Sequence, residues 1–279
     1  MAMVISTNVS SINAQRKLTD TNNALSTSME RLSSGLRVNS AKDDAAGLAI
    51  ANKMTSQIRG MTVASRNAND GVSMAQTAEA AMGVMTETMQ RMRDLAVQAS
   101  NTGAVTGDDK NKLQTEFLQL NDELQRVITN TEFNGKKIIN GSLSGGINFQ
   151  VGANTAADNQ IAISVANLSG TLSEVFKVSI GSNTSTGGGL SAIISLDAGI
   201  KAVDNARSKL GAVQNRFTTT ISNLASAIEN QSAARSRILD TDFAAETAAL
   251  SRNQILQQAG TAMLSQANQA PNAVLGLLR

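Results

Sequence analysis

Counting alternately by four and three from Leu196 reaches Ile200, Val203, Arg207, Leu210, Gln214, Phe217, Ile221, Leu224, Ile228, Gln231, Arg235 and Ile238, most of them large and apolar. That spacing is a coiled-coil seam, and a helix of this extent runs for roughly 60 Å. Such a helix cannot cover its own stripe, so the chain must supply partners. A matching stripe runs through Ala51, Met54, Ile58, Met61, Ala68, Val72, Ala75, Met82 and Met89. It belongs to a helix expected from near Ala41 to about Ser100, opened by a capping box with Ser40 as N-cap and Asp43 three residues on. Methionine and alanine at these positions read as packing residues, because Met fills irregular gaps between helices. Gly47, Gly60, Gly71 and Gly83 weaken the helix locally and would permit a close crossing.

The two ends carry the same kind of pattern more thinly. Val4, Leu18, Leu25 and Leu32 share one heptad position, Ile5 and Ile12 the next, and Met29 adds a second line, so residues 4–34 read as an amphipathic helix that Gly35 ends. Polar residues between them leave an isolated copy marginal in water. Asp240-Thr241-Asp242 should cap a last helix with Ala245, Ala249, Leu256, Ala259, Met263, Ala267, Ala270 and Val274 on one face, and the chain closes on apolar residues that include Leu278. Such surplus apolar surface is expected where other subunits supply the missing core. Between the ends, Thr106-Gly107-Asp108-Asp109 opens a shorter helix with Leu113, Phe117, Leu120, Leu124 and Val127 on one face. Asn134-Gly135 and Asn140-Gly141 are turn dipeptides, and the alternation of Ile147, Phe149 and Val151, then Ile161, Ile163 and Val165, predicts a β-hairpin near residues 146–166. Residues 168–189, rich in Ser, Gly and Thr, should be the loosest and most exposed part. The fold class is mainly α: a long antiparallel coiled-coil or helical-bundle rod with a small β-hairpin region and paired termini.

Composition narrows the chemistry. The chain of 279 residues has no Cys, His, Trp or Tyr and a single proline. Disulfides, thiol chemistry, the commonest metal ligands and the usual general base are all excluded. The net charge of +2 is small and its basic residues are scattered, so nucleic acid is not an expected partner. No apolar run is long enough to insert in a bilayer, and Met1 to Asn8 lacks a basic region followed by an apolar core. Export, if it occurs, is expected without a cleaved signal peptide.

Several blocks resemble one family. The runs Ile5 to Asn8, Leu32 to Gly47, Arg66 to Gly71, Phe133-Asn134-Gly135, Phe149 to Asn154, Leu210 to Arg216, Ile255 to Gly260, Gln266 to Gln269 and Leu277 to Arg279 resemble bacterial flagellin, in the family's order and at both ends. The resemblance covers all but about residues 168–189. It implies a terminal coiled-coil domain from 1–40 and 240–279, a rod domain from 41–166 and 190–239, and a short variable loop at 167–189 in place of outer domains. It further implies an extracellular homopolymer, the flagellar filament used for motility. Implied partners are an export chaperone at the C-terminal segment, the filament cap, hook-junction proteins and the innate-immune Toll-like receptor for flagellin. Polymerisation would fall to Val4, Ile5, Ile12, Leu18, Leu25, Leu32, Leu256, Ala259, Met263, Ala267, Val274 and Leu278. Receptor or assembly contacts would fall to Gln90, Arg91, Arg93, Leu95, Gln98 and Glu116, with Leu95 equally readable as a packing residue.

Two readings of other classes stand beside this one. The acidic clusters Asp43-Asp44, Asp108-Asp109 and Asp240-Thr241-Asp242 could hold a hard cation in a secreted enzyme, although each lies at a helix start where carboxylates cap and complement the dipole. No nucleophile with a base accompanies them, so no catalytic, cofactor or metal residue is assigned. A partner-binding coiled coil, such as a filament-junction protein, shares the end helices. O-linked sugar on Ser182, Thr184, Ser185 or Thr186 is an expectation from family habit.

Overall fold

The computed structural model describes residues 7–101, 103–181 and 188–277, apart from the side chains of 270–277. Its elements in order are α1 (Val9–Ser34), α2 (Ala45–Ala99), α3 (Gly107–Asn130), β1 (Glu132–Phe133), β2 (Lys136–Lys137), β3 (Ile147–Gln150), β4 (Gln160–Ile163), α4 (Leu168–Thr171), α5 (Ser173–Phe176), α6 (Gly188–Leu239) and α7 (Phe243–Leu277). The chain is mainly helical, as the periodicity predicts. Contacts divide it into two units, residues 57–229 and residues 1–56 with 230–279.

The unit of residues 57–229 holds the large core. Seam residues Leu196, Val203, Leu210, Phe217 and Leu224 of α6 are buried, as are Ala68, Ala75, Met82 and Met89 of α2. Each step along α2 is matched by a step back along α6: Gln214 Nε2 donates to Glu79 Oε2 at 2.8 Å, and Arg93 pairs with Asp197 at 2.6 Å. The two helices are therefore antiparallel. Gly71 is a contact point, since a Cβ there would lie 2.7 Å from Phe217 Cζ, and the missing side chain lets the ring seat against the α2 backbone. At Gly60 the same role serves Ala153, whereas a Cβ at Gly83 would meet nothing within 4 Å, and nothing in the structure explains that glycine. Phe117, Leu124 and Ile128 bring α3 onto this core.

Two antiparallel pairs follow. Asn134 (φ 49°) and Gly135 (φ 74°) make the tight turn between β1 and β2, both in the left-handed region that Asn-Gly favours. β3 and β4 pair in the register Ile147 with Ile163 and Phe149 with Ile161, so Ile161 and Ile163 face the core. Phe149 meets Phe217 edge-on at 5.9 Å, locking the hairpin to α6.

Three expectations are corrected. Residues 168–181 are not a loose surface loop: Leu168, Leu172, Val175 and Ile180 are buried. Gln114 on α3 accepts from the Ile180 N–H at 2.6 Å, and Asn121 Nδ2 donates to the Phe176 carbonyl at 3.2 Å. Ser182, Thr184, Ser185 and Thr186, the expected sugar sites, lie outside the described residues. The second helix starts at Ala45 rather than Ala41, because Asp44 Oδ1 accepts from the Gly47 N–H and acts as its cap. Asp43 instead turns back to accept from the Ser40 and Asn39 N–H groups. Thr7 and Asn8 are not helical: α1 starts at Val9, with the Asn8 side chain accepting from the Ser11 N–H, while residues 4–6 of the expected helix lie outside the described residues.

The other unit holds the start of α2, the end of α6 and the pair α1 and α7. α1 and α7 run antiparallel, with Asn8 Nδ2 donating to the Ala267 carbonyl, Gln257 Nε2 to Asn22 Oδ1, and Arg31 facing Glu246 at 3.8 Å. Gly35, at φ 72°, ends α1 and returns its N–H to the Arg31 carbonyl. Beyond it the chain clasps the α6–α7 junction: Arg37 N–H donates to the Leu239 carbonyl at 2.6 Å and Thr241 N–H to the Gly35 carbonyl at 3.0 Å. Asp242 Oδ1 then caps α7 by accepting from the Ala244 and Ala245 N–H groups.

At the start of α3, the Thr106 hydroxyl and then Lys112 hold the Asp109 carboxyl below the ordinary carboxylate range. A depressed pKa contributes stability that is present above the unfolded value and lost as pH falls through the folded one. Asp109→Asn should therefore melt below the parent at pH 7. In thermal scans from pH 7 to pH 2, the gap should close at the acid end.

Candidate assembly and recognition surfaces

Two surfaces gather the residues that the sequence singles out. The first is the α1–α7 pair. Its inner seam takes Ser11, Ala14, Leu18, Thr21, Leu25, Ser28 and Leu32 from α1, with spacing of three and four, and every one is at least half-buried. From α7 it takes Glu246, Leu250, Asn253, Gln257, Gly260, Leu264 and Ala267. Gly260 brings the backbones close, since a Cβ there would lie 3.3 Å from Leu18 Cδ1.

This seam is not the α7 face read from the sequence. Of that face Ala249 and Ala267 lie on the half-buried side, whereas Ala245 and Ala259 are exposed, Leu256 is 49% exposed and Met263 61%. The face read from the sequence follows the more apolar line of α7, whereas α1 offers small and polar residues that fit the neighbouring, more polar one. On α1, Leu18, Leu25 and Leu32 are in the seam, while Ile12 points out at 57% exposure and Val9 and Met29 are also exposed. Val4, Ile5 and Leu278 lie outside the described residues, as do the side chains of Ala270 and Val274.

Turning the apolar line outward leaves an open groove of about 700 Å³ along the pair, floored by Ala14, Leu18, Leu256, Ala259, Gly260 and Met263. Ser10, Asn13, Lys17, Asp20, Thr21 and Asn253 form its polar margins. It is an open groove rather than an enclosed pocket.

The second surface lies in the other unit. Gln90, Arg91 and Gln98 are exposed on α2. Arg91 reaches α3, where its Nε and Nη2 both donate to Glu116 Oε1, at 2.9 and 2.7 Å. Arg93 reaches α6 in the opposite sense, and the bond it donates to Asp197 raises its already high pKa. Asp197 had no signal in the sequence beyond its place beside the α6 seam. Leu95, grouped with these residues by resemblance, is 1% exposed and belongs to the core. The patch is thus a charged, three-helix surface built over Leu95.

Neither surface assembles reactive chemistry. Among the described residues, no three acidic side chains gather as a metal site requires, and no helix is long and apolar enough to cross a membrane. Asp44, Asp109 and Asp242 are engaged at their helix starts.

Residues 5–144 match the bacterial flagellin N-terminal helical region, and residues 193–278 match the bacterial flagellin C-terminal helical region. The chain belongs to the bacterial flagellin family. It is similar to Flagellin B of Vibrio cholerae, at 38% identity over 377 aligned positions that take in all of both chains. Flagellin D of Vibrio anguillarum is also 38% identical, over 378 positions and all of both chains. Against 279 residues here, the 377 positions leave 98 that this chain does not fill, so it is a short flagellin. A solved structure described as a flagellar hook-associated protein from Vibrio parahaemolyticus shares the fold, with a TM-score of 0.58 at 13% identity over 71% of this chain and 100% of that one. Flagellins are structural proteins, and this flagellin is not an enzyme.

Leu95 and its exposed neighbours separate packing from recognition. Leu95→Ala should lower unfolding free energy by about 2–5 kcal/mol, while Gln90→Ala and Gln98→Ala should each stay within about 0.5 kcal/mol. Denaturant melts of the three variants check this.

Proposed function

We propose that this chain is the structural subunit of the extracellular flagellar filament, and that it self-assembles through its terminal helices. The observation that carries the reading is the exposure of Leu256 and Met263 in the α1–α7 groove. A pair held by Ser11, Ser28, Asn22 and Gln257 buries little apolar surface of its own, and a neighbouring copy seated in the groove supplies what is missing. The ordering cost of such thin helices restrains growth until neighbours cover them.

In this reading residues 1–40 with 240–279 act as the terminal assembly domain, 41–166 with 190–239 as the surrounding helical domain and 167–189 as the shortened variable region. The chain is met by an export chaperone on its C-terminal segment. Filament cap and hook-junction proteins contact it at the filament ends. The fold shared with a hook-associated protein supports a second reading, a junction protein rather than the bulk subunit. Seeded growth separates the two. The full chain should elongate sheared filament seeds under electron microscopy, and a chain lacking residues 242–279 should not. A full chain that never elongates seeds leaves the junction reading in front.

We further propose that the soluble chain is recognised by the innate-immune Toll-like receptor for flagellin through Gln90, Arg91, Gln98 and Glu116. The exposed pairing of Arg91 with Glu116 supports this, because it presents both side chains in a fixed geometry. Arg91→Ala should reduce signalling in a receptor reporter assay with little change in the melting curve. Unchanged signalling would count against the patch.

A further inference from the structure

The described methionines range from buried to exposed, with Met54 and Met61 in between. Met74, Met82, Met85, Met89 and Met92 of α2 are each 2% exposed or less, whereas Met29 is 51% and Met263 61% exposed. Of these last two, Met263 lines the α1–α7 groove beside Leu256, Ala259 and Leu18, and Met29 does not. With no Cys, Trp, Tyr or His in the chain, thioethers are its main targets for a peroxide. Susceptibility follows exposure, so among the described residues the groove holds one of the two most exposed methionines.

We propose that Met263 is a reversible oxidation site that gates assembly at this groove, an inference that rests on the groove being the assembly surface. Hydrogen peroxide supplies the chemistry. The Met263 sulfur takes one peroxide oxygen, the O–O bond breaks, the sulfur loses two electrons and the peroxide leaves as water. The product sulfoxide sets a polar acceptor among Leu18, Leu256 and Ala259, where a seated helix would bury it. A dithiol-dependent sulfoxide reductase reverses the step, the dithiol becoming a disulfide and the oxygen leaving as water. The five core methionines are shielded, so the large helical core is untouched while the groove is switched.

The test treats the full chain with dilute hydrogen peroxide, maps oxidation by peptide mass spectrometry and follows growth on untreated filament seeds. Met263 and Met29 should oxidise about tenfold faster than the five buried methionines, and the oxidised parent should elongate seeds about tenfold more slowly. Reductase treatment should restore growth. Measured against its own untreated rate, Met263→Leu should be slowed no further by peroxide, whereas Met29→Leu should be slowed as the parent is. Untreated Met263→Gln, which carries a polar acceptor in place of the thioether, should grow as slowly as the oxidised parent. Met263 oxidising no faster than the buried set would overturn the proposal, as would Met263→Leu losing growth on peroxide as the parent does. If the untreated parent fails to elongate seeds, the assembly reading falls and the gating falls with it, while the peptide rates still decide whether Met263 is the oxidation site.

Discussion

A helix 52 residues long with one apolar stripe cannot be stable in water unless the stripe is covered along its length. In the unit of residues 57–229, α2 covers it with methionine and alanine, and α3 and the β3–β4 hairpin close the remaining sides. Small and pliable residues suit this task. Alanine lets helices approach, methionine fills the uneven space left between them, and the edge-on contact of Phe149 with Phe217 supplies one rigid point. The scarcity of aromatic residues is thus a property of how the core is built rather than a deficit.

The α1–α7 pair answers the same constraint differently. Its seam is made of Ser11, Ala14, Thr21, Ser28, Asn253 and Gly260 as much as of leucine. Close approach and hydrogen bonds hold register, while Phe243, Ile255, Leu256 and Met263 of α7 are left exposed. In the proposed filament, pairing with α1 and contact with a neighbouring copy would fall to different faces of one helix. A fully apolar seam would have made the pair self-sufficient and left less reason to associate.

Much of this could be read in the sequence because periodicity reports long helices well. The α6 seam was legible to the residue, and so were the caps at Thr106 and Asp242 and the Asn134-Gly135 turn. The α7 seam was not, since a hydrophobic wheel finds the most apolar line and here that line faces outward. Composition also misled at residues 168–181, where Ser and Gly suggested a loop. Leu168, Leu172 and Val175 are nevertheless spaced by four and three, a short helical signal that the surrounding polar residues masked. The cap shift from Ser40 to Asp44 shows a finer limit, because two adjacent aspartates compete and only the backbone path decides which one faces the helix. The recognition patch was found through resemblance, and Asp197 escaped because a lone acidic residue beside a seam carries no pattern.

The clasp between Gly35, Arg37, Leu239 and Thr241 reaches further than its two hydrogen bonds. Residues 35 and 241 are far apart in sequence, yet the clasp holds the start of the α1–α7 zipper together. Closing the zipper from there is a local step with little loop entropy to overcome. Its far end can fray and re-form without slipping a heptad, because the near end keeps count. A pair too thin to be rigid is in this way still able to return to one register each time it closes.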